Sequence, residues 1–397
     1  MGLSHAMKRI LVAWELGLNF GHLSRDAPLM QRCLNEGCAV FLAARDLKSA
    51  ATVIGDLPVT TLQAPRMPRV EQAEAINFAD LLLKAGFGQP GRLAAIVDGW
   101  LSLFNLMKPA ALVYDYAPGA LLAARIAGLP VLMCGTGFEI PPEQSPLPSI
   151  RPWEGVTEAA LLMADRNLTS IINSVLATHR RPLLEKVTDL FAGHEILLAA
   201  YPELDPFGPR PDAVYLGTLA ALPGASNAHW SHSGGPRILC YLRVSLIGLE
   251  TALTVLQALP AEVLCVIPDI PQDWRARYPA LRLHDRPLDF PSLLAAADLV
   301  VTSGGTTVSE ALRTGVPVML LPEVGEQYMT GLALERLSAG RMMATIEEPA
   351  FSATLQSLLT EPRFKQAALA FADRHRSVTR GQAVEQQWQA LARIAGL

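Results

Sequence analysis

One stretch of this 397-residue chain decides its fold: ADLVVTSGGTTVSEALRTGVPVMLLPEVGEQYMTG, residues 297–331. Residues 299–302 form a short, apolar and β-branched run, which is typical of a buried parallel strand. A Gly-rich turn follows at 303–307, and a helical pattern then ends at Gly315 before a second apolar run at 316–321. The stretch therefore predicts a strand–turn–helix–strand unit with its tightest turn at the carboxyl end of a strand, where open α/β sheets bind ligands.

The turn has the composition of a phosphate-binding loop. Gly304 and Gly305 let the backbone turn sharply and let a ligand approach it closely. The helix that follows offers free N–H groups and a partial positive charge at its amino terminus, and Thr306 or Thr307 is a suitable cap for it. Glu310, one turn into this helix, is placed to accept hydrogen bonds from two vicinal hydroxyl groups, as on a ribose.

A second polar loop follows the next predicted strand, at Glu326 and Gln327. A bare glycine pair more often makes only a tight turn. The second loop favours a ligand site over a plain turn. The carboxyl ends of parallel strands meet at one edge of a sheet, and two polar loops there form a pocket. The sequence thus predicts a ligand site rather than a turn alone.

At these residues the chain resembles the GT-B nucleotide-sugar glycosyltransferases. The run SGGTTVSE at 303–310 is similar to the donor motif of the peptidoglycan N-acetylglucosaminyltransferase group, and its order with the later GVP and Glu326–Gln327 is similar to the UDP-glycosyltransferase signature. The resemblance implies that Glu310 binds the ribose, that the turn faces the diphosphate and that Gln327 contacts the donor sugar. The donor-site residues that it implies on this stretch are Ser303, Gly304, Gly305, Thr306, Thr307, Glu310, Glu326 and Gln327.

The resemblance also implies an α/β architecture of the GT-B type, in which two Rossmann-like domains with parallel sheets face each other across a cleft. The implied acceptor-binding domain covers residues 1–216, and the nucleotide-sugar-binding domain covers residues 237–375. A small, polar and loop-like segment at 217–236 is the best candidate for the linker between them. The last helix, within residues 376–397, is expected to cross back onto the first domain.

The first domain opens with a predicted strand at residues 8–14, a Gly-punctuated loop (ELGLNFGH, 15–22), a helix and a second strand at 39–44. This βαβ order predicts a parallel sheet with right-handed crossovers. No GxGxxG is present, which disfavours a dinucleotide site of the dehydrogenase type. The spacing of Gly17, Gly21 and His22 instead resembles the acceptor-domain loop of GT-B enzymes, and the resemblance implies that His22 is the general base.

Asp115 follows a predicted strand at 110–114 and therefore lies at the same edge of the sheet as His22. Two interpretations are about equally supported. Asp115 caps the helix that follows, which is a common role for Asp, or it supports the histidine, as the resemblance implies. One aspartate can do both.

The loop after the first strand of the second domain departs from the family pattern. The family usually has a Gly-Ser or Gly-Thr phosphate loop there, whereas this chain has RVSLIG at 243–248. Arg243 can supply positive charge to a diphosphate, with Ser245 beside it, although a solvated surface arginine is the slightly favoured interpretation. Arg286 follows a later strand, in a loop that by resemblance lies against the nucleotide base.

Composition restricts the partners and the compartment. Half of the chain is hydrophobic, 18% is charged and the net charge is −4, with no basic block, so nucleic acid is not an expected partner. Five scattered cysteines with no CxxC pair indicate core residues of a reduced, cytoplasmic protein. No run reaches the roughly 18 apolar residues of a transmembrane helix. The segment 81–107, rich in leucine, alanine and phenylalanine, leaves a peripheral contact with the inner face of the membrane open.

The implied reaction moves a sugar from a UDP- or dTDP-sugar to a hydroxyl group of a small-molecule, glycan or lipid acceptor. Negative charge grows on the leaving diphosphate and is stabilised by a metal, or by fixed N–H donors and a helix dipole. No DxD-type acidic cluster is present, so we expect a metal-independent enzyme with no cofactor besides the nucleotide-sugar co-substrate. Inversion at the anomeric carbon follows if His22 activates an attack opposite the leaving group. A nucleotide-sugar epimerase on the same fold and a non-catalytic nucleotide-sugar binder are the two alternatives.

Overall fold

A computed structural model describes residues 7–17, 20–67, 74–219, 228–231, 234–286 and 288–397. The chain divides into two compact units. The first comprises Met1–Pro202, Phe207–Ala221 and Arg380–Leu397, and the second comprises Glu203–Pro206 and Leu222–Thr379. Residues 220–227 and 232–233 of the predicted linker lie outside the described part of the chain.

The first unit is built on a sheet of seven parallel strands in the order β3-β2-β1-β4-β5-β6-β7. The strands are β1 (Arg9–Trp14), β2 (Ala39–Ala44), β3 (Thr60–Gln63), β4 (Ala111–Asp115), β5 (Val131–Gly135), β6 (Glu195–Leu198) and β7 (Val214–Tyr215). The central strands are buried along almost their whole length, β1 from its second residue onward and β4 and β5 throughout. Strands covered on both faces need apolar side chains on both faces, which is why the sequence shows continuous apolar runs there.

Among the residues that the structure describes, six α-helices connect these strands. They are α1 (Gly21–Asn35), α2 (Leu47–Ile54), α3 (Phe78–Leu82), α4 (Pro90–Met107), α5 (Pro118–Ala127) and α6 (Glu158–Thr178), with a π-helical segment at Leu83–Phe87. Helix α5 has the sequence PGALLAARIA and is buried on nearly all sides. A helix that is apolar all round must lie in the core of a protein of this size.

The sequence pattern of residues 157–191 predicts a helix that is broken near Pro182, but the observed helix is shorter. Helix α6 ends at Thr178, and the chain then returns through a loop to a short 3₁₀ turn at Val187–Leu190. The Asn173 side chain holds this loop, because it donates to the Leu184 carbonyl and accepts from the Leu184 N–H, at 2.9 and 2.8 Å. The prediction placed the break at Pro182, but the helix ends four residues earlier.

The second unit is built on six parallel strands in the order β10-β9-β8-β11-β12-β13. These strands are β8 (Arg237–Tyr241), β9 (Glu262–Val266), β10 (Arg282–His284), β11 (Leu299–Thr302), β12 (Val318–Leu320) and β13 (Gly340–Met342). The helices are α7 (Leu249–Gln257), α8 (Trp274–Arg277), α9 (Phe290–Leu294), α10 (Thr306–Arg313), α11 (Gly325–Arg336), α12 (Glu348–Thr360) and α13 (Pro362–Arg374).

Each sheet has a point at which the strand order reverses. In the first sheet this point lies between β1 and β4, and in the second it lies between β8 and β11. In open α/β sheets the crevice outside the carboxyl ends of such a strand pair is where ligands bind. His22 follows β1 and Asp115 ends β4, while Arg243 follows β8 and the turn at 303–305 follows β11. The predicted residues of both units therefore lie at the two positions that the topology favours for ligands.

The last helix, α14 (Arg380–Ala395), belongs to the first unit, as the sequence predicted. It packs on α1, β4 and β5. Its buried side is anchored by Leu391, which is fully buried, and by Gln387, whose Nε2 lies 3.4 Å from the Cys134 thiol. The Arg32 guanidinium of α1 covers the ring of Trp388, 5.5 Å from its centroid.

Two further expectations concern the core and the membrane. All five cysteines are buried and free of disulfides, which confirms that they are core residues. Within the described ranges, no helix has both the length and the apolar character that a membrane span requires.

Candidate active site

His22 is the second residue of α1, directly after the Gly-punctuated loop. Its Nδ1 lies 2.9 Å from Oδ1 of Asp115. The two residues meet because β1 and β4 are neighbours with Trp14 paired to Asp115, so the loop leaving β1 begins beside the end of β4. A carboxylate can only accept a hydrogen bond, so this contact assigns the proton to Nδ1 and leaves Nε2 with its lone pair.

Aromatic rings enclose the imidazole of His22. Trp14 stacks on it with ring centroids 5.7 Å apart, and Tyr116 stacks on it at 6.1 Å. Gly17 lies at the Nε2 edge of the ring, where a Cβ atom would stand only 2.0 Å from Nε2. The side chain keeps 11% of its surface exposed. The ring is therefore held in one orientation. Nε2 is the nitrogen that would take a proton, and a side chain at position 17 would clash with it.

Two charged residues that sequence reasoning missed complete this cluster, Arg25 and Glu139. Arg25 lies one turn after His22 on α1 and is buried; its guanidinium donates to Asp115 Oδ1 and, at 2.8 Å, to Glu139 Oε2. Glu139 also accepts the N–H of Thr136 at 2.7 Å. The i, i+3 spacing from His22 was a usable signal for Arg25, because such residues share a helix face. Glu139 lies in the loop after β5, and no sequence pattern marked it.

Neighbouring charges shift the pKa values of His22 and Asp115 in opposite directions. Burial alone would lower the pKa of His22, but the negative charges of Asp115 and Glu139 outweigh burial, and the net pKa is raised above its ordinary value. Burial would raise the pKa of Asp115, but Arg25 and then His22 outweigh it and hold that pKa far below its usual range. Asp115 is therefore a permanent anion against the imidazole.

The capping role considered for Asp115 is wrong. The carboxylate of Asp115 is occupied by His22 and Arg25, and helix α5 has no side-chain cap from Asp115. Glu15 fills that position instead: its Oε2 accepts the N–H groups of Gly119 and Ala120, at 2.8 and 3.3 Å. Burial raises the pKa of Glu15 to about 8, against the opposing effect of those two hydrogen bonds.

His22, Asp115 and Glu139 also have the composition of a metal site, since one ligand atom from each lies within 4.8 Å of the others. The Arg25 guanidinium donates to both carboxylates. It therefore supplies positive charge between two adjacent carboxylates, which is one way to balance them without a cation.

In the second unit, the predicted donor turn links β11 to α10. Gly304 and Gly305 both have positive φ, 127° and 71°, a region that favours glycine. The expected cap by Thr306 or Thr307 is wrong, because Gly305 is the N-cap and both threonines are already inside the helix. A capping side chain must belong to the residue before the first helical one. Within the described part of the chain, helix α10 thus begins without a side-chain cap.

Three of the predicted donor residues come together at this turn. Ser303 is buried, and its Oγ has no hydrogen-bond partner within the described residues. Gln327 packs its Cγ beneath Gly304, at a distance that leaves no room for a Cβ there, and its Oε1 accepts the N–H groups of Glu323 and Val324. Glu310 is buried on α10, and Glu326 lies half-buried in the first turn of α11.

The remaining predicted donor residues behave differently. Arg243 is not a free surface arginine: its Nε lies 3.9 Å from Glu323 Oε2, and the hydroxyl of Ser245 donates to Glu323 Oε1 at 2.9 Å. Glu323, which the sequence did not single out, therefore ties the loop after β8 to the loop after β12. Arg286 is exposed in the loop after β10, and two strands, β9 and β8, lie between β10 and β11.

Comparison with known proteins agrees with the resemblance seen in the sequence. No protein-family model matches the chain. A PGL/p-HBAD biosynthesis glycosyltransferase of Mycobacterium tuberculosis is 26% identical over 295 residues, which cover 68% of this chain and 68% of that protein. The UDP-N-acetylglucosamine--N-acetylmuramyl-(pentapeptide) pyrophosphoryl-undecaprenol N-acetylglucosamine transferase of Yersinia pestis is 37% identical over 101 residues, which cover 24% and 28%.

Solved structures identify the fold. The glycosyltransferase VinC, in complex with dTDP, superposes with a TM-score of 0.71 at 17% identity over 98% of this chain and 99% of that one. The spinosyn rhamnosyltransferase SpnG has a TM-score of 0.66 at 20% identity over 96% and 99%. The chain has the GT-B fold, with two Rossmann-like units built on parallel sheets. The resemblance predicted from the sequence is confirmed, and the predicted enzyme class agrees with the names of these relatives.

Proposed function

We propose that the chain is an inverting, metal-independent glycosyltransferase that moves a sugar from a UDP- or dTDP-sugar to an acceptor hydroxyl, with His22 as the general base. The observation that carries this proposal is the contact between His22 Nδ1 and Asp115 Oδ1 at 2.9 Å. It leaves Nε2 as the acceptor nitrogen, in an aromatic enclosure at the edge of the sheet where ligands bind.

In the proposed reaction, Nε2 of His22 takes the proton of the acceptor hydroxyl as its oxygen attacks the anomeric carbon. The new C–O bond forms on one face of the sugar while the bond to the diphosphate breaks on the other, and the electron pair leaves with the diphosphate. Asp115 stabilises the imidazolium that forms, which is the established role of a carboxylate behind a histidine base. Attack from the face opposite the leaving group inverts the anomeric carbon.

The leaving diphosphate would be stabilised at the amino terminus of α10. That terminus has no side-chain cap, and the two glycines before it allow close approach of a ligand. Charge on the diphosphate is then met by N–H groups and the helix dipole, without a metal ion. On the acceptor side, the guanidinium of Arg25 supports independence from metal, because it already serves both carboxylates beside His22.

The donor class rests on the relatives and neighbours. VinC was solved with dTDP and SpnG with thymidine diphosphate and with the spinosyn aglycone, while the Yersinia pestis relative is named for a UDP-sugar. We therefore propose a nucleoside diphosphate sugar as the donor and a hydroxyl-bearing organic molecule as the acceptor.

The deciding experiment measures nucleotide affinity and turnover on wild type, His22→Ala and Asp115→Asn, with EDTA present throughout. Turnover of the wild type persists in EDTA. His22→Ala lowers it by roughly 10²–10⁴-fold, the usual contribution of a positioned general base, while the nucleotide affinity stays nearly unchanged. Asp115→Asn acts in the same direction but less severely. Full turnover in His22→Ala would rule out this base.

The alternatives give different results in the same assay. An epimerase would convert the nucleotide sugar to an isomer in the absence of any acceptor. A non-catalytic binder would bind the nucleotide but turn over with no acceptor, and the occupation of Arg243 and Ser245 by Glu323 is the observation that favours it. Loss of activity in EDTA, restored by magnesium or manganese, would contradict the proposed independence from metal.

A further inference from the structure

A second buried acid, Asp26, lies behind the contact between His22 and Asp115. It follows Arg25 on α1, and only 1% of its surface is exposed. Neither of its carboxylate oxygens has a hydrogen-bond partner within the described residues, and the same is true of the second oxygen of Asp115, Oδ2. The two carboxyl groups nevertheless lie close enough to interact directly. The mechanism above gives Asp26 no role.

A shared proton explains these unpartnered oxygens. Two ionised carboxylates have acceptors but no donor, so they cannot satisfy each other. A proton on one of them supplies an O–H group that the other can accept, as in other pairs of adjacent buried carboxyl groups. Asp115 is the poorer holder of that proton, because Arg25 and His22 already donate to it. Asp26 accepts no such bonds, so the proton belongs on Asp26.

The remaining neighbours favour the same assignment. The charges that act on Asp26 are those of Asp115 and Glu139, which are negative, and Arg25, which is positive. From β5, the thiol of Cys134 lies near Asp26, and Gln387 of α14 binds this thiol through Nε2. Without Asp26 the cluster holds one cation and two anions, so an ionised Asp26 would add a third negative charge in a buried place. Burial first, and then the charge of Asp115, raise the pKa of Asp26 well above its ordinary value.

We propose that Asp26 is a positioning residue for the proposed general base: its carboxyl group carries a proton and donates it to Asp115 Oδ2. This inference rests on the function proposed above. With Oδ2 held by Asp26 and Oδ1 held by Arg25, the carboxylate of Asp115 cannot rotate away from the imidazole. The neutral state of Asp26 also limits the negative charge beside His22, which would otherwise keep the imidazole protonated and unable to act as a base.

Two substitutions separate this role from a merely structural one. Asp26→Asn keeps the shape and supplies an N–H donor to Asp115, while Asp26→Ala removes the donor. Asp26→Asn retains most of the turnover and leaves the acid limb of the pH profile of kcat/KM in place. Asp26→Ala lowers kcat by about 10–100-fold, the usual effect of losing a group that orients a functional residue, with the KM for the donor unchanged.

A second measurement needs no activity. A carboxyl group that is protonated in the folded state but ionised in the unfolded state, where its pKa is about 3.9, makes the protein less stable as pH rises. Asp26→Asn has no carboxyl group at this position, so no proton is taken up there on folding. The melting temperature of Asp26→Asn, relative to wild type, therefore rises between pH 5 and pH 8.

The outcomes are distinct. A melting difference that does not change over this pH range, with the acid limbs of both variants shifted to lower pH, would show that Asp26 is ionised in the folded state and would overturn the proposal. Full turnover in Asp26→Ala would also overturn it. If Asp26→Ala does not fold, Asp26→Asn alone still gives both the pH profile of kcat/KM and the melting comparison. If instead His22→Ala keeps full turnover, the proposed function fails, while the melting comparison still reports whether Asp26 holds the proton.

Discussion

At the scale of single residues, the proposed base is set by the atoms that touch it. Asp115 fixes the proton on Nδ1, two aromatic rings fix the plane of the imidazole, and Gly17 has no side chain that would clash with Nε2. Arg25 then fixes Asp115. Each of these contacts controls a different property of His22, so substitutions at each should produce different kinetic effects.

Gly17 and Gly21 form a matched pair for testing the space around Nε2. Gly17 has φ of 80°, and a Cβ there would stand 2.0 Å from Nε2, whereas a Cβ at Gly21 would meet nothing within 4 Å. We expect Gly17→Ala to displace the imidazole and reduce turnover strongly, with nucleotide affinity unchanged, while Gly21→Ala stays close to wild type. Steady-state kinetics on both variants check this. Equal turnover in the two variants would mean that Nε2 is not the reacting atom.

The pH dependence of turnover reports the charge beside His22. The pKa of His22 is raised above the ordinary 6.5, and a base must be unprotonated to act, so kcat/KM of the wild type should rise with pH through a limb centred above 6.5. Asp115→Asn removes the negative charge that favours the imidazolium. The limb should therefore move to lower pH in this variant, even as the plateau falls. Superimposable acid limbs in the two proteins would argue against His22 as the titrating group.

At the scale of elements, the amino termini of helices α5 and α10 differ in whether a side chain accepts hydrogen bonds from their free N–H groups. In α5, the carboxylate of Glu15 accepts hydrogen bonds from the first free N–H groups. The amino terminus of α10 begins at Gly305 without any side-chain cap. Both helices follow a strand at a switch point of their sheet, where ligands bind. Only the second of these two leaves its N–H groups for an anion, which is why the donor is proposed to bind in the second unit.

Glu310 on α10 tests the donor site. If its carboxylate binds the ribose, Glu310→Ala should weaken nucleotide binding by about 1.5–3 kcal/mol, the range for hydrogen bonds to charged groups. Ser309→Ala, the adjacent position on the same helix, serves as the control and should leave the affinity unchanged. Titration calorimetry with UDP and dTDP measures both variants. Wild-type affinity in Glu310→Ala for each nucleotide that the native protein binds would remove Glu310 from the site.

At the scale of the whole molecule, the chain returns to its first unit at the end. Helix α14 lies more than 150 residues beyond the last strand of that unit, β7, yet it packs on α1, β4 and β5. These are the elements that carry His22 and Asp115 and that lie next to the loop of Glu139. The carboxyl-terminal residues therefore stabilise the sheet edge at which the proposed base is held.

Leu391 of α14 is the position at which this dependence can be measured. It is fully buried, so Leu391→Ala should lower the free energy of unfolding by about 2–5 kcal/mol. Leu106→Ala is the matched control, because Leu106 lies on α4 of the same unit with 73% of its surface exposed. That change should stay within about 0.5 kcal/mol of wild type. Equal denaturation midpoints for the two variants would show that α14 does not contribute to the first unit.

The sequence by itself determined the order of strands and helices, the two parallel sheets, the Gly-rich turn before α10 and the position of His22 and Asp115 at one edge of the first sheet. These features depend on local patterns: apolar runs of strand length, glycines at turns, and polar residues at the carboxyl ends of strands. Its errors at helix ends were one or two residues at the threonine cap of α10 and four residues at the end of α6. Boundaries are weakly encoded because the first helical turn has no partner for its N–H groups.

Only the tertiary structure decided how the polar groups pair. Arg25, Asp26 and Glu139 have no pattern that links them to Asp115 along the chain, since they come from a helix and a loop that meet only when the sheet forms. Glu15 rather than Asp115 caps α5 for the same reason, and Glu323 meets both Arg243 and Ser245. A buried charge must find a partner wherever the fold places one. Sequence periodicity therefore predicts which residues are buried, but the choice among several possible partners depends on distances that only the folded chain fixes.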